Sequence, residues 1–186
     1  MSARRATLAA LLLGLLTLAY PLLVYASLRW FEPRWLGLLL LAIAIARLGG
    51  GRRDPLAWAT AALALALALV AGWLNQALPV KLYPVAVNAI MLALFGLSLW
   101  QPPSMIERLA RLKEPELPPH AVAYTRRVTQ VWCGFFMVNG AIALWTALAA
   151  SDAQWALYNG LIAYLLMGAL FAGEWLVRQR VRARHA

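Results

Sequence analysis

Four polar side chains interrupt the long apolar runs of this sequence: Asn88, Asn139, Asn159 and Glu174. An amide or carboxylate in lipid is costly unless it has a partner, so such residues either hydrogen-bond between helices or carry protons, ions or substrates across the membrane. We expect Asn88 and Asn139 to hydrogen-bond across helices. Glu174 has Arg178 four residues later, and this spacing favours an ion pair on one helix over a proton relay.

The residue types that usually carry catalysis or bind metals are few and scattered. The two aspartates, Asp54 and Asp152, are expected on opposite sides of the membrane, and His120 and His185 both lie in polar segments. Cys133 is the only cysteine, which excludes an internal disulfide and a Cys-rich metal site. Hydrolases and metal-dependent transferases need clustered groups of these kinds. We therefore predict that the chain is not an enzyme and has no catalytic, cofactor or metal site.

The composition indicates that lipid surrounds most of the chain. Of the 186 residues, 63% are apolar and only 13% are charged, against about a quarter charged in soluble domains. The net charge of +10 comes from residues between the apolar runs. The expected partners are therefore membrane lipids, especially anionic head groups on the cytoplasmic side, and not nucleic acid.

The apolar runs predict an all-α fold, a polytopic membrane helix bundle of about six transmembrane helices. The predicted spans cover residues 7–28, 30–46, 56–74, 82–100, 128–150 and 155–177. The second has a short apolar stretch, residues 35–46, so five crossings remain if it stays at the interface. The first also resembles a signal peptide, with a Val24-x-Ala26 pattern before a cleavage point after Ala26.

The distribution of basic residues orients the predicted bundle. With six crossings, fourteen of the seventeen lysines and arginines fall on one side of the membrane, which the positive-inside rule makes cytoplasmic. The count is the same if the second run does not cross. The central loop and the C-terminus are therefore predicted on the cytoplasmic side of the membrane, while the side of the N-terminus stays open.

Residues 101–127 form the predicted cytoplasmic basic loop. Ser104 and Glu107 have the spacing of a capping box at a helix start, and Met105, Leu109 and Leu112 then fall on one helical face. This pattern predicts a short amphipathic helix on the inner membrane surface, which is either a docking surface or only a positively anchored connector. The candidate contacts to anionic lipid or a partner are Arg52, Arg53, Arg108, Arg111, Lys113, Arg126 and Arg127.

Two further features concern the ends and faces of the spans. Lys81 lies near the outer end of the fourth span, where a lysine is expected to extend its ammonium group into water. The last span contains Gly168-x3-Ala172 and Ala169-x3-Gly173, small residues that let a second helix approach closely. That helix could come from the same bundle or from a second copy in a homo-oligomer.

Roughly residues 80–168 carry a series of landmarks: Tyr83-Pro84-x3-Asn88, Pro103-x2-Ile106-x-Arg108-Leu109, Leu117-Pro118, Trp132-x2-Phe135-Phe136 and Trp155. In these the chain resembles the intracellular septation protein A family of bacterial inner-membrane proteins. It resembles more closely a related group often encoded beside aryl-polyene lipid biosynthesis genes. The septation family tends to have an Asn-aromatic-Lys triplet where this chain has Leu157-Tyr158-Asn159, so a septation role is not carried over. The resemblance implies a protein of envelope assembly and implies no catalytic residue.

Two functions follow as hypotheses. The first is a non-catalytic scaffold or assembly factor for cell-envelope biogenesis, which would hold envelope enzymes through its basic inner surface. The second is a transporter or lipid-handling subunit for a lipid or polyene product. Its polar contacts to the transported molecule would come from Asn88, Asn139, Asn159 and Glu174.

Overall fold

The computed structural model of the chain describes residues 21–26, 38, 40–42, 44–45 and 55–183, with the side chains of 55–57, 182 and 183 left out. Most of the predicted spans 7–28 and 30–46 lies outside the described residues. Arg52 and Arg53 lie outside them as well, as does His185.

Every regular element in the described part of the chain is a helix. We number those from residue 55 onward in chain order: α1 (Pro55–Leu74), α2 (Leu78–Lys81), α3 (Tyr83–Trp100), α4 (Met105–Arg111), α5 (Pro119–Ala149), α6 (Asp152–Leu157) and α7 (Ala163–Ala183). One π-helical turn, Tyr158–Ile162, joins α6 to α7. The predicted all-α class is thus confirmed for these residues.

Among the residues that the structure describes, three stretches of helix are long and apolar enough to cross a membrane: Leu78–Trp100, Pro119–Ala149 and Asp152–Val181. The shortest has 23 residues, about 35 Å of helix at 1.5 Å per residue, against a hydrocarbon layer of about 30 Å. The apolar part of α1 within the described side chains, Trp58–Leu74, is shorter. The chain is therefore a helical membrane protein, and six crossings stay a prediction.

Large apolar side chains cover the outside of these helices. In the stretch Asp152–Val181, only 6% of the most apolar window is buried. Leu165 is 63% exposed on this helix, and Trp145 on α5 is 60% exposed. Because exposing so much apolar surface to water is unfavourable, these side chains are suited to lipid contact.

The ends of two helices differ from the sequence prediction. α5 begins at Pro119, so residues 119–127 of the predicted loop form its first turns. Proline is favoured in the first turn of a helix because its missing N–H would have no partner there. The last span begins at Asp152, after a capping box formed by Ser151 and Gln154. Hydropathy locates the apolar part of a helix, whereas its polar ends depend on caps.

The described residues divide into two compact units. The first unit contains the residues up to Val87 and Ala141–Leu161. Its core combines fully buried Trp155 and Val80 with small residues of α1, namely Ala61, Ala64 and Ala71. Because alanine side chains are short, they let α1 lie close to the larger side chains of this core.

The second unit contains Asn88–Gly140 and the chain from Ile162 onward. Its core is an aromatic cluster on α3 and α5, formed by Phe95, Trp132 and Phe136. The rings of Phe95 and Phe136 meet edge to face with centroids 5.1 Å apart, an arrangement that aromatic quadrupoles favour. Phe171 of α7 adds its ring to this cluster against Trp132.

Candidate functional site

A cavity of about 410 Å³ lies within the second unit. Residues of α4, of the segment after α4, of the first turns of α5 and of the later turns of α7 line it. Those that matter for its chemistry are Leu109, Lys113, His120, Tyr124, Trp132, Phe171, Glu174 and Arg178. The cavity is therefore lined both by the predicted cytoplasmic loop and by two of the span-length helices.

Aromatic side chains form the apolar wall of the cavity. The rings of Trp132 and Phe171 are packed with centroids 4.6 Å apart, and both line the cavity together with Val128 and Leu109. Trp132 is 5% exposed, so its ring is held in place by the core behind it. This wall offers a preformed apolar surface to a ligand.

A hydrogen-bonded group of three polar side chains lies on another wall of the cavity. Arg178 Nε donates to Glu174 Oε1 at 2.9 Å, and Arg178 Nη2 donates to Glu174 Oε2. The Tyr124 hydroxyl lies 3.1 Å from Glu174 Oε1 and 3.2 Å from the Glu174 carbonyl oxygen. The predicted Glu174–Arg178 ion pair is confirmed, and its carboxylate is 11% exposed.

Helix α4 forms part of the cavity lining. It is held there because side chains of the surrounding chain accept hydrogen bonds from its N-terminal amides. The Met105 amide donates to Ser98 Oγ at 2.8 Å, and the Ile106 amide donates to Thr129 Oγ1 at 3.3 Å. The predicted capping-box arrangement is present, with the Ser104 amide donating to Glu107 Oε2 at 3.3 Å, while the buried Ser104 hydroxyl makes no hydrogen bond to the described residues. These bonds connect α4 to α3 and α5.

The predicted faces of α4 were partly wrong. Met105 packs with Ile106 against the aromatic cluster, while Leu109 is 53% and Leu112 81% exposed. Glu107, which lies off the predicted apolar face, is 6% exposed and pairs with Arg111. Helical periodicity alone could not locate the inward face, because Glu107 is neutralised by Arg111 one turn later and can therefore be buried.

Three of the predicted lipid-contact arginines are already engaged with the backbone. Arg108 donates to the carbonyl oxygens of Pro103 at 2.7 Å and Gln101 at 3.0 Å. Arg111 donates to the Pro115 carbonyl oxygen at 2.8 Å, and Arg126 donates to that of Leu99 at 2.9 Å. Some of these carbonyls lie at the end of α3, where a helix leaves its last carbonyl groups without partners, and the others lie in the loop. The guanidinium groups donate hydrogen bonds to them. Arg127 and Lys113 are exposed.

The prediction that Asn88 and Asn139 hydrogen-bond across helices is confirmed, and the structure makes each the partner of the other. Asn139 Nδ2 donates to Asn88 Oδ1 at 3.0 Å, and both residues are buried. Gly140 lies beside them, since a Cβ atom added there would be 3.1 Å from Asn88 Cβ. The pair therefore connects α3 and α5 where the two helices approach closely within the second unit.

Asn159 lies in the first unit, inside the π-helical turn. Its Nδ2 donates to the Trp155 carbonyl oxygen at 2.9 Å and to Thr146 Oγ1 at 3.2 Å. The structure thus gives the four candidate intramembrane polar residues three different surroundings, and Glu174 alone lines the cavity described above.

Lys81 corrects another prediction, since its ammonium group does not extend into water. Lys81 Nζ lies 3.0 Å from Asp152 Oδ1, and the Lys81 side chain is 10% exposed. The Trp155 indole Nε1 donates to the Lys81 carbonyl oxygen at 3.1 Å. An acidic residue at the start of α6 competes with water for the ammonium, because Asp152 also benefits from the helix N-terminus.

Sequence reasoning missed Tyr124, Trp132 and Phe171 as parts of a site. The signal was present, since Tyr124, Val128 and Trp132 recur every four residues, and Phe171, Glu174 and Arg178 follow a helical i, i+3, i+7 pattern. The pattern on α5 can be recognised only if that helix is extended back to Pro119. Comparisons of the chain with protein-family models, with curated proteins and with solved structures find no match.

Proposed function

We propose that this chain is a non-catalytic protein of the bacterial inner membrane that binds an amphiphilic molecule in the cavity of its second unit. The lipid-handling hypothesis thereby takes precedence over the scaffold hypothesis. The observation that carries it is the lining of the cavity, where the Trp132–Phe171 wall accompanies the Tyr124–Glu174–Arg178 group. The positive-inside distribution supports a cytoplasmic location for this cavity and for the C-terminus.

The size and lining of the cavity support an amphiphile over a small polar solute. A volume of about 410 Å³ falls within the range of about 300–1,000 Å³ typical of small-molecule sites. Apolar walls with a few placed polar groups bind a ligand that has both kinds of surface. The cavity is lined by residues of α5 and α7, both of which belong to stretches apolar enough to cross a membrane, so an apolar tail bound there suits its surroundings.

The polar groups of the cavity support a binding role rather than a reaction. Glu174 accepts from two nitrogens of Arg178 and lies within hydrogen-bond distance of the Tyr124 hydroxyl. A carboxylate with these partners stabilises the cavity wall, whereas a general base needs a free lone pair directed at its substrate. The role in envelope biogenesis rests on the family resemblance described under Sequence analysis.

A cavity-filling variant tests the proposal. Ala121 lines the cavity, whereas Ala123 is exposed on the same helix outside the lining, so Ala121→Phe and Ala123→Phe form a matched pair. We expect purified wild type and Ala123→Phe to retain bacterial lipid species in native mass spectrometry and Ala121→Phe to lose most of them. Equal lipid retention by all three proteins would contradict binding in this cavity.

A scaffold function is a second candidate, favoured by the exposed side chain of Leu112 beside Lys113. An apolar residue next to a cation at a loop surface can contact a cytoplasmic partner or anionic lipid. Pull-downs in mild detergent with wild type and with Leu112→Glu test it. Recovery of the bait alone at every expression level would remove this candidate.

A further inference from the structure

Once the existing contacts of the cavity lining are counted, both carboxylates have partners, whereas two cationic groups keep unused donors. Glu174 is occupied by Arg178 and Tyr124, and Glu114, the other carboxylate of the lining, has an interaction of its own. Arg178 uses Nε and Nη2 on Glu174 and also interacts with the Tyr124 hydroxyl, while its Nη1 donates no hydrogen bond to another described residue. Lys113 likewise has no ion pair among residues 58–181.

We propose that the amphiphile bound in this cavity carries an anionic head group, a carboxylate or a phosphate, held by Lys113 and Arg178. This inference rests on the proposed function and names the ligand class of the same site. The tail lies along the ring wall of Trp132 and Phe171. The head group lies where both unengaged cationic groups can reach it.

The existing contact between Arg178 and Glu174 demonstrates that the cavity wall presents a guanidinium to a carboxylate. Arginine offers donors along two edges of a planar group, so one edge can hold Glu174 while Nη1 remains for an additional anion. The Arg178 side chain is 48% exposed, which allows it to accept a second partner. An adjacent apolar wall strengthens such a charge-assisted bond because it excludes water from one side.

Lys113 complements this fixed donor with a mobile one. It lies in the turn after α4 and is exposed, so its four-carbon chain can adjust to a head group bound in the cavity. An ammonium acts as a point charge without a preferred plane, and it therefore accepts either a carboxylate or a phosphate. The two cations together favour an anionic amphiphile over a neutral one.

Three photoreactive probes with the same sixteen-carbon tail test the inference: hexadecanoic acid, hexadecyl phosphate and hexadecanol, each with a diazirine near the tail end. The protein is labelled in phosphatidylcholine nanodiscs, and the labelled peptides are identified by mass spectrometry. In wild type we expect one or both anionic probes to label the Trp132 and Phe171 peptides roughly tenfold more than the alcohol, a factor equal to about 1.4 kcal/mol.

Two variants assign the preference to residues. Lys113→Gln removes a cation without touching the Glu174–Arg178 pair, and the double variant Glu174→Gln with Arg178→Gln removes the pair at constant net charge. We expect each to lower the ratio of anionic labelling to hexadecanol labelling severalfold. Arg127→Gln is the control, since Arg127 is exposed and outside the lining. The ratio separates the loss of a charge contact from damage to the cavity, because damage lowers labelling by all three probes together.

The outcomes separate the two proposals. Equal labelling by all three probes would overturn the anionic preference and leave amphiphile binding in place. No labelling above that of Ala121→Phe would remove both. An anionic preference that survives both variants would overturn the roles of Lys113 and Arg178. Labelling by only one of the two anionic probes supports the inference and decides between carboxylate and phosphate.

Discussion

Lys81 and Asp152 in the first unit are 71 residues apart in sequence, whereas Glu174 and Arg178 in the second unit are one helical turn apart. Both pairs lie beside an aromatic hydrogen-bond donor, Trp155 or Tyr124. The first pair forms only when distant parts of the chain have been brought together. The second forms within α7 whatever surrounds that helix.

This difference separates structural roles from binding roles. In the long-range pair the cation is the buried partner, with Lys81 10% and Asp152 49% exposed. In the local pair the carboxylate is the buried partner, with Glu174 11% and Arg178 48% exposed. The loss of Asp152 would therefore strand a buried charge, whereas the loss of Glu174 would leave an arginine that solvent can reach. The local pair can change partners at little cost, as a ligand site requires.

The largest expected effect is that of Asp152→Asn. Removing one partner of a buried ion pair costs about 3–5 kcal/mol, and because Asp152 is half exposed we expect roughly 2–3 kcal/mol here. The measurement is thermal unfolding in a fixed detergent. Glu116→Gln, a change at an exposed acid of the loop, is the control and should leave Tm unchanged. If Asp152→Asn unfolds at the wild-type temperature, Lys81 does not need this partner.

The next effect concerns the close approach of α3 and α5. Gly140→Leu places a side chain where even a Cβ atom would be 3.1 Å from Asn88 Cβ, and we expect a loss of about 1–2 kcal/mol from overpacking. Gly134→Leu on the same helix is the matched control, because no described residue lies within 4 Å of its Cβ position. Equal Tm values for the two variants would contradict this helix contact.

A smaller effect is expected for Asn139→Leu. It removes the hydrogen bond to Asn88, and such bonds between membrane helices contribute about 0.6 kcal/mol on average. Asn88→Leu alone and the double variant complete a cycle that isolates the pair energy. Strictly additive losses would indicate that the two amides do not interact in the membrane.

The smallest effect on stability is expected for Glu174→Gln, below about 0.5 kcal/mol, since local helical ion pairs contribute little. The variant should nevertheless increase labelling by hexadecanoic acid, because Arg178 is no longer shared with an internal carboxylate. A Tm loss as large as that of Asp152→Asn would end the distinction between the two pairs. Gly168→Leu, at an open position on the same helix, should leave both readouts unchanged in monomeric protein.

The predictions that the structure confirms concern mostly neighbouring turns of one helix. The capping box of Ser104 and Glu107 and the Glu174–Arg178 pair are both settled by helix geometry at three- or four-residue spacing. Interhelical hydrogen bonds of Asn88 and Asn139 were predicted because buried amides in lipid need partners. That the two amides bond to each other requires α3 and α5 to be neighbours, which the 51-residue separation does not establish by itself.

The predictions that the structure corrects depend on which surfaces meet. Lys81 was expected in water because it lies near the outer end of the fourth span, and its partner Asp152 is too distant in sequence to be recognised. Met105 was placed on one face with Leu109 and Leu112, whereas it packs inward with Ile106. The cavity went unrecognised because its lining comes from three helices and the loop segment, and no single stretch of sequence contains it.

By itself, the sequence determined the helical class, the membrane as solvent and the contacts between adjacent turns. These follow from apolar run length and from spacings that an α-helix makes local. Only the tertiary structure decided which faces turn inward, where Lys81 finds its carboxylate and that an aromatic wall and an arginine share one cavity. The reason is that lipid accepts any apolar face, so hydropathy in a membrane helix does not distinguish the packed side from the exposed one.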